Sequence, residues 1–293
     1  MSLNSVNTNI GAMVALQSLN RTNAEMEGVQ KRISTGFRVA DSRDDGAAFA
    51  VAERVRGDMA ATNTANQQLG GVKGLLDVGR SGLENVSDAL EDLRNTVLRL
   101  GGNDLTASQR SQYQTALKES ISQIRNFLAD SDYNGQTILT NGTAAGIQTR
   151  VKTIRNGEGD IYQFSTVNVK TNIIAHLSAL VNGTAAGSLL GNTSTAIANA
   201  VAALTAGGRV SSAQTGTLDG LNAIGGFSKY VDRQVTFNKT RMDAQESGLG
   251  ALIDADLAKE SARLQALQIR QQLGTQALSI ANQSPQSLMR LFQ

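Results

Sequence analysis

Residue types able to do covalent or metal chemistry are few in this chain and poorly spaced for it. His176 is the only histidine, so one copy can build neither a histidine-based triad nor a multi-histidine metal site. It lies in Asn172–Leu180 among Ile173, Ile174 and Leu177, where a structural or surface role is expected. Cysteine is absent, which removes disulfides, thiolate ligands and thiol nucleophiles. Asp44-Asp45 could in principle pair on a metal or a proton. Standing directly before Gly46, they read instead as the start of a helix, where carboxylates meet the positive end of the dipole. Asp254 and Asp256 are two residues apart, hence on different helix faces. Glu158 and Asp160 fall in an expected turn and should be solvated, and the glycines from Gly70 to Gly74 lack the strand, loop and Lys-Ser/Thr order of a phosphate cradle. No catalytic, cofactor or metal site is expected, and no enzyme.

What remains is a chain built for packing. Of 293 residues, 40% are hydrophobic but only 4% aromatic, with no Trp, so the core must rest on aliphatic seams, which suits long helices. A single proline, Pro285, leaves long stretches free to be helical. The net charge of +2 and the scarcity of rings argue against nucleic acid. No apolar run approaches the roughly 20 residues of a membrane span, so membrane insertion is not expected. Asn4, Asn7, Asn9 and Gln17 interrupt the N-terminal apolar stretch, so a cleaved secretory signal is not expected either. Asn85, Asn141, Asn182, Asn192 and Asn238 head matches to the N-linked acceptor pattern; in a chain this rich in Asn, Ser and Thr, chance accounts for them.

Met1–Asn20 carries no charged side chain, and neither does the stretch between Arg270 and Arg290. Both set Leu, Ile, Val, Ala and Met among Asn, Gln, Ser and Thr. A neutral amide face can enter a subunit contact at roughly 1 to 3 kcal/mol per unpaired group, whereas a stripped ion costs several. Both ends therefore read as assembly surfaces, ordered only by each other or by another molecule. At the N-terminus Leu3, Val6, Ile10, Met13 and Leu16 or Gln17 form one stripe, continued by Met26, Val29 and Ile33. Leu257, Leu264, Leu267, Leu273, Leu278, Leu288, Leu291 and Phe292 supply the other.

Between the ends, Leu69, Val72, Leu76, Gly79, Leu83, Val86, Leu90, Leu93, Val97 and Leu100 alternate steps of three and four. That heptad predicts a helix on the order of 48 Å long at about 1.5 Å per residue, stopped by Gly101-Gly102. A second helix fits Thr106–Ala129, with Tyr113, Leu117, Ile121, Ile124 and Leu128 along one stripe. A third fits Leu221, Ile224, Ser228, Val231, Val235, Asn238, Met242, Gln245, Leu249 and Leu252. Three seams predict one bundle. Gly70, Gly71, Gly74, Gly79 and Gly82 each cost about 1 kcal/mol against alanine in a helix; either the helix start is frayed or kinked there, or a neighbour approaches closely. Asn134-Gly135, Asn141-Gly142, Asn156-Gly157 and Glu158-Gly159 signal turns around short strands at Thr137–Leu139, Gln148–Ile154 and Ile161–Val169. Residues 182–216 are rich in Gly, Ala, Ser and Thr, with a modest helix at Thr195–Leu204.

Certain residues also resemble a family. Ser18-Leu19-Asn20, Ile33-Ser34-Thr35-Gly36-Phe37-Arg38-Val39 and Asp44-Asp45-Gly46-Ala47 near one end, with Gln268-Ile269, Ala281-Asn282-Gln283-Ser284-Pro285-Gln286 and the close at Leu288–Phe292, are similar to bacterial flagellins. The resemblance covers about the first 130 residues and the last 75 or so. It implies a mainly α fold, a long coiled-coil bundle formed by both termini with a small β-hairpin region in the middle. An inner terminal coiled-coil domain would hold residues 1–42 with 254–293 and line a channel. A bundle domain would hold residues 43–180 with 181–253, including the hairpin and a short variable segment.

The resemblance further implies a self-polymerising filament subunit for swimming motility, exported unfolded by the flagellar type III route to the extracellular flagellum. Its implied partners are copies of itself, the export apparatus, an export chaperone, and hook-associated and cap proteins. Recognition by Toll-like receptor 5 through the first long helix is another family property. Asp92 and Thr96 stand where the activating pattern has Arg and Leu, so weak or no activation is expected. A hook-filament junction protein shares the terminal pattern and is the nearest competing reading; a membrane-active translocator would need a long apolar hairpin that is missing.

Overall fold

The computed structural model describes residues 9–139, 150–182, 188–190 and 193–291, the last few, 284–291, as backbone only. Leu3, Val6, Leu288, Leu291 and Phe292 of the expected terminal stripes lie outside the described side chains. In chain order the elements are α1 (Ile10–Thr35), α2 (Gly46–Leu100), α3 (Ala107–Ala129), β1 (Arg150–Ile154), β2 (Ile161–Ser165), α4 (Val169–Val181), α5 (Thr193–Leu204), α6 (Arg209–Ile253) and α7 (Leu257–Leu291). The fold is mainly helical, and among the described residues the only sheet is the antiparallel β1–β2 pair.

Two compact units make up the chain: Met1–Asp58 with Met242–Gln293, and Met59–Arg241. The first helix break and the last would place a boundary near residues 42 and 254. The units instead divide inside α2 and α6, because Ala48 and Ala52 of α2 bury with Val39 and with Ile253 of α6, flanked by Phe37, Phe49, Leu249 and Leu252. Leu249, expected on the bundle seam, thus belongs to this smaller cluster, and Met242 to the same unit.

In the Met59–Arg241 unit the expected heptad is the core. Leu69, Leu76, Leu83, Val86, Leu90, Leu93, Val97 and Leu100 are fully buried, with Val72 half-buried beside them. Leu117, Ile121, Ile124 and Leu128 of α3 join them, as do Ile224 and Val231 of α6, while Leu221 and Val235 pack at the margin. Thr106 and Gln109 form a reciprocal capping box at the start of α3. One helical turn on, buried Arg110 donates to the carbonyls of Leu100 (2.9 Å) and Gly102 (3.1 Å), closing the negative end of α2.

Helix α2 runs unbroken through the glycines, so fraying is not why they are there. A Cβ on Gly79 or Gly82 would collide with Ile138 and with Ser131 Oγ, and one on Gly74 would meet the Tyr133 ring at 3.0 Å. The chain returning from α3 lies directly on these three. Gly70 and Gly71 have nothing within 4 Å.

Asn134 (φ 52°) and Gly135 (φ 72°) form the turn expected there, closed by paired hydrogen bonds between Tyr133 and Gln136. Thr137–Leu139 is not a strand; Leu139 makes one isolated bridge to Val167. The expected strand Ile161–Val169 stops at Ser165, and Val169 begins α4, because Val169, Ile173, Leu177 and Leu180 bury at helical spacing. The hairpin is fastened to α6 by Tyr162 stacked on Tyr230 (3.8 Å between centroids) and Phe164 against Phe227. Fully buried Asn238 donates to Asn66 Oδ1 and to the Arg155 carbonyl, each at 2.8 Å, tying the residue that follows β1 to α2 and α6.

Candidate assembly surface

In the Met1–Asp58 with Met242–Gln293 unit, α1 and α7 lie antiparallel. Asn9 Nδ2 donates to the Ala281 carbonyl (2.8 Å), Gln271 Nε2 to Asn23 Oδ1 (2.9 Å) and Arg32 Nη2 to Glu260 Oε2 (3.2 Å). The same register continues past the helices, where Ala255 N donates to the Gly36 carbonyl and Arg38 N to that of Ile253. Asn9 also caps α1, its Oδ1 accepting from Ala12 N.

The contact between them is a heptad on each side. Ala12, Ala15, Leu19, Thr22, Met26, Val29 and Ile33 of α1, and Glu260, Leu264, Leu267, Gln271, Gly274, Leu278 and Ala281 of α7, are half-buried or buried. The single N-terminal stripe expected from the sequence is therefore two. Met26, Val29 and Ile33 face α7, whereas Ile10, Met13 and Leu16 are 52%, 65% and 48% exposed, with Val14 beside them. On α7 the split is the same: Leu264, Leu267 and Leu278 face α1, and Leu257 and Leu273 stay exposed.

The exposed residues of α7 are themselves ordered. Ala262, Ala266, Ile269, Leu273, Gln276 and Ile280 step by four and three along the side roughly half a turn from the inner seam, all exposed. Ile269 and Ile280 were missed from sequence, although their spacing from Leu273 carried the signal. Since Leu19 meets Gly274 and Asn23 meets Gln271, the level at which α1 loses its last charge, Arg21, is the level at which α7 loses Arg270. From that level to Asn9 on α1 and Ala281 on α7 the paired helices carry only apolar and neutral polar side chains.

The α1–α2 joint is, by contrast, ionic. Lys31 Nζ donates to Asp41 (2.8 Å) and Asp44 (2.9 Å), and Asp44 accepts from the backbone of Ala40 as well. The Lys31 ammonium, helped by Arg43, holds the Asp41 carboxyl far below the usual carboxylate range, and Lys31 with the Ala40 amide lowers that of Asp44. Asp45 Oδ1 accepts from Ala47 and Ala48 N, capping α2 as its position implied.

The remaining sequence candidates do not converge. His176, half-buried on α4, borders a cleft of about 430 Å³ with Asn199, Gly207 and Arg209. Asp256 caps α7 through Lys259 N, while Asp254 bridges to Phe37. Glu158 and Asp160 are exposed but not merely solvated, since each accepts a hydrogen bond at 2.8 Å, from Arg241 and Arg155. Asp92 is exposed on α2, and Thr96, half-buried, donates to its carbonyl at 3.1 Å. Among the described residues no three His, Cys, Asp or Glu side chains could hold a metal, and no helix is long and apolar enough to cross a membrane.

Residues 6–144 match the bacterial flagellin N-terminal helical region and residues 208–292 the bacterial flagellin C-terminal helical region. The chain is 35% identical over 292 residues to flagellin FljK of Caulobacter vibrioides, covering all of both chains. It is 30% identical over 288 residues to a flagellin of Brucella melitensis, covering 98% of this chain and 99% of that one. A solved structure described as a flagellar hook-associated protein from Vibrio parahaemolyticus aligns with TM-score 0.54 at 15% identity, over 72% of this chain and 100% of that one. At that identity the likeness is one of fold alone.

Proposed function

The chain belongs to the bacterial flagellin family and is a structural subunit of the flagellar filament, and from that premise we propose that the outward stripes of α1 and α7 are the contact by which copies polymerise. The observation that carries this is the second heptad of α7, with Ile269, Leu273 and Ile280 at 59%, 59% and 69% exposure, the last two in a stretch free of charge. Covering such a residue from half exposure recovers about 1 kcal/mol. Summed over several residues and both partners, that is enough to drive association, and no ion loses its water. A contact whose rotation does not close on itself repeats into an open helical polymer.

On this reading the terminal coiled coil, within residues 1–42 with 254–293, lines a channel in the filament. The chain travels through the flagellar type III export apparatus unfolded, escorted by a chaperone, and meets hook-associated and cap proteins at the ends of the filament. It has no catalytic role and takes no cofactor. Purified chain added to sheared filament fragments is expected to extend them to micrometre length under the electron microscope; a chain that only caps the fragments, or stays solitary, refutes the reading.

Asp92 and Thr96 bear on a second property. An exposed carboxylate and a hydroxyl bonded to its own helix replace the cation and the apolar side chain of the receptor-activating pattern. Monomer applied to a Toll-like receptor 5 reporter line is expected to give little or no signal, and a robust response would count against the assignment of these positions.

A further inference from the structure

The two faces of α7 pose a question of choice. The inner seam holds Glu260, Gln271 and Gly274 among its leucines, whereas the outer stripe interrupts its Ala, Ile and Leu only with Gln276. If apolar burial alone decided, α1 would have as much reason to take the outer face, or the inner one slid by a heptad.

We propose that polar pairs between α1 and α7, Arg32 with Glu260 foremost, select the face and the register of the intrachain contact and so reserve the more apolar face of α7 for the next copy of the chain. The pair is the one described ion pair linking α1 to α7, and its side chains are only 24% and 14% exposed. Arg32 Nε is buried without a partner, so the guanidinium is already short of one hydrogen bond and can ill spare the carboxylate. A slide by one heptad sets Arg32 opposite Leu267, or opposite Ile253 before α7 begins, and sets Glu260 opposite Val39 or Glu25, so that two uncompensated charges replace one satisfied pair. Asn23 with Gln271 and Asn9 with the Ala281 carbonyl repeat the instruction further along. A single buried polar position is known to fix register in coiled coils at a cost in stability; here the selection falls at the end nearest the joint, where the two helices first meet. The inference rests on the polymerisation reading only for what the spared face is used for.

The absence of cysteine makes the register measurable. A Cβ on Gly11 would lie 3.9 Å from that of Ala281, inside the spacing of about 3.5–4.5 Å that a disulfide requires. Full-length chain carrying Gly11→Cys with Ala281→Cys reports the register described, and Gly11→Cys with Gly274→Cys reports a one-heptad slide. Both are oxidised unassembled and scored by mass spectrometry. In-register cross-linking is expected to exceed the slid form by about tenfold or more. Arg32→Glu should lower that ratio by about tenfold, and Arg32→Glu with Glu260→Arg should restore it. Where the single reversal prevents pairing altogether, Arg32→Met with Glu260→Met decides: helix content by circular dichroism is kept while the ratio falls at least about threefold, because packing survives and selection does not. A ratio unchanged in the Met pair, or a reversed pair that fails to restore it, overturns the proposal. Neither result depends on filament growth, so failure of the polymerisation reading would show separately, as outer-stripe variants that still polymerise.

Discussion

Changing both Leu273 and Ile280 to glutamate is expected to stop filament growth at the concentrations where the parent grows, while melting of the Met59–Arg241 unit stays where it was. Both side chains point away from α1, so the inner seam of α7 keeps its contacts. Of the two new carboxylates the one at position 273 has Arg270 a turn away and the one at position 280 has no cation within reach, so each must still be taken from water when a second copy covers it. Burying it against a second copy costs several kcal/mol, and the apolar gain of the replaced residue is lost as well. Two such sites in every subunit raise the concentration needed for seeded growth by at least about a thousandfold, a change of about 4 kcal/mol. Sedimentation of seeded reactions across a concentration series measures this. Leu273→Met with Ile280→Met should polymerise nearly as the parent does, since volume and polarity are kept. If the glutamate variant grows filaments at the parent's concentration, the outer stripe is not the contact.

The contrast between the two ends and the middle shows what a sequence can disclose about its own packing. The α2 seam was legible from Leu69 to Leu100 because its other faces are mostly charged or small polar residues, with Leu75, Val78 and Leu98 too scattered to make a second apolar phase. On α1 the first turns have two. Ile10, Met13 and Leu16 are larger than Ala12 and Ala15 and read as the stronger stripe, yet the small residues face α7 and let the helices close. Nothing within one helix says which phase its intrachain partner will take. The answer lies in pairs such as Asn23 with Gln271 and Arg32 with Glu260, whose members are more than two hundred residues apart. The start of α4 was hidden differently: Val167 and Val169 alternate as a strand would, and only the later Ile173, Leu177 and Leu180 reveal the longer period. The glycines of α2 could be costed from sequence but not explained, because Tyr133, Ile138 and Ser131 reach them from another part of the chain.

A core without tryptophan should also fail locally in a particular way, and the second large effect follows from it. Leu83 is fully buried in the α2 seam against Gly220 of α6, a Cβ on Gly220 falling 2.8 Å from its Cδ1. Truncation to alanine removes three methyl-sized groups from a site whose walls are two long helices. These cannot bend inward over one residue, so a cavity persists and the cost is about 3 to 5 kcal/mol. Leu98, on the same helix but 53% exposed, provides the control: Leu98→Ala should stay within about 0.5 kcal/mol of the parent. Urea unfolding followed by circular dichroism separates the two, with the midpoint shifting for Leu83→Ala and the slope unchanged. Unfolding that distinguishes neither variant would mean that α2 is held by something other than its heptad.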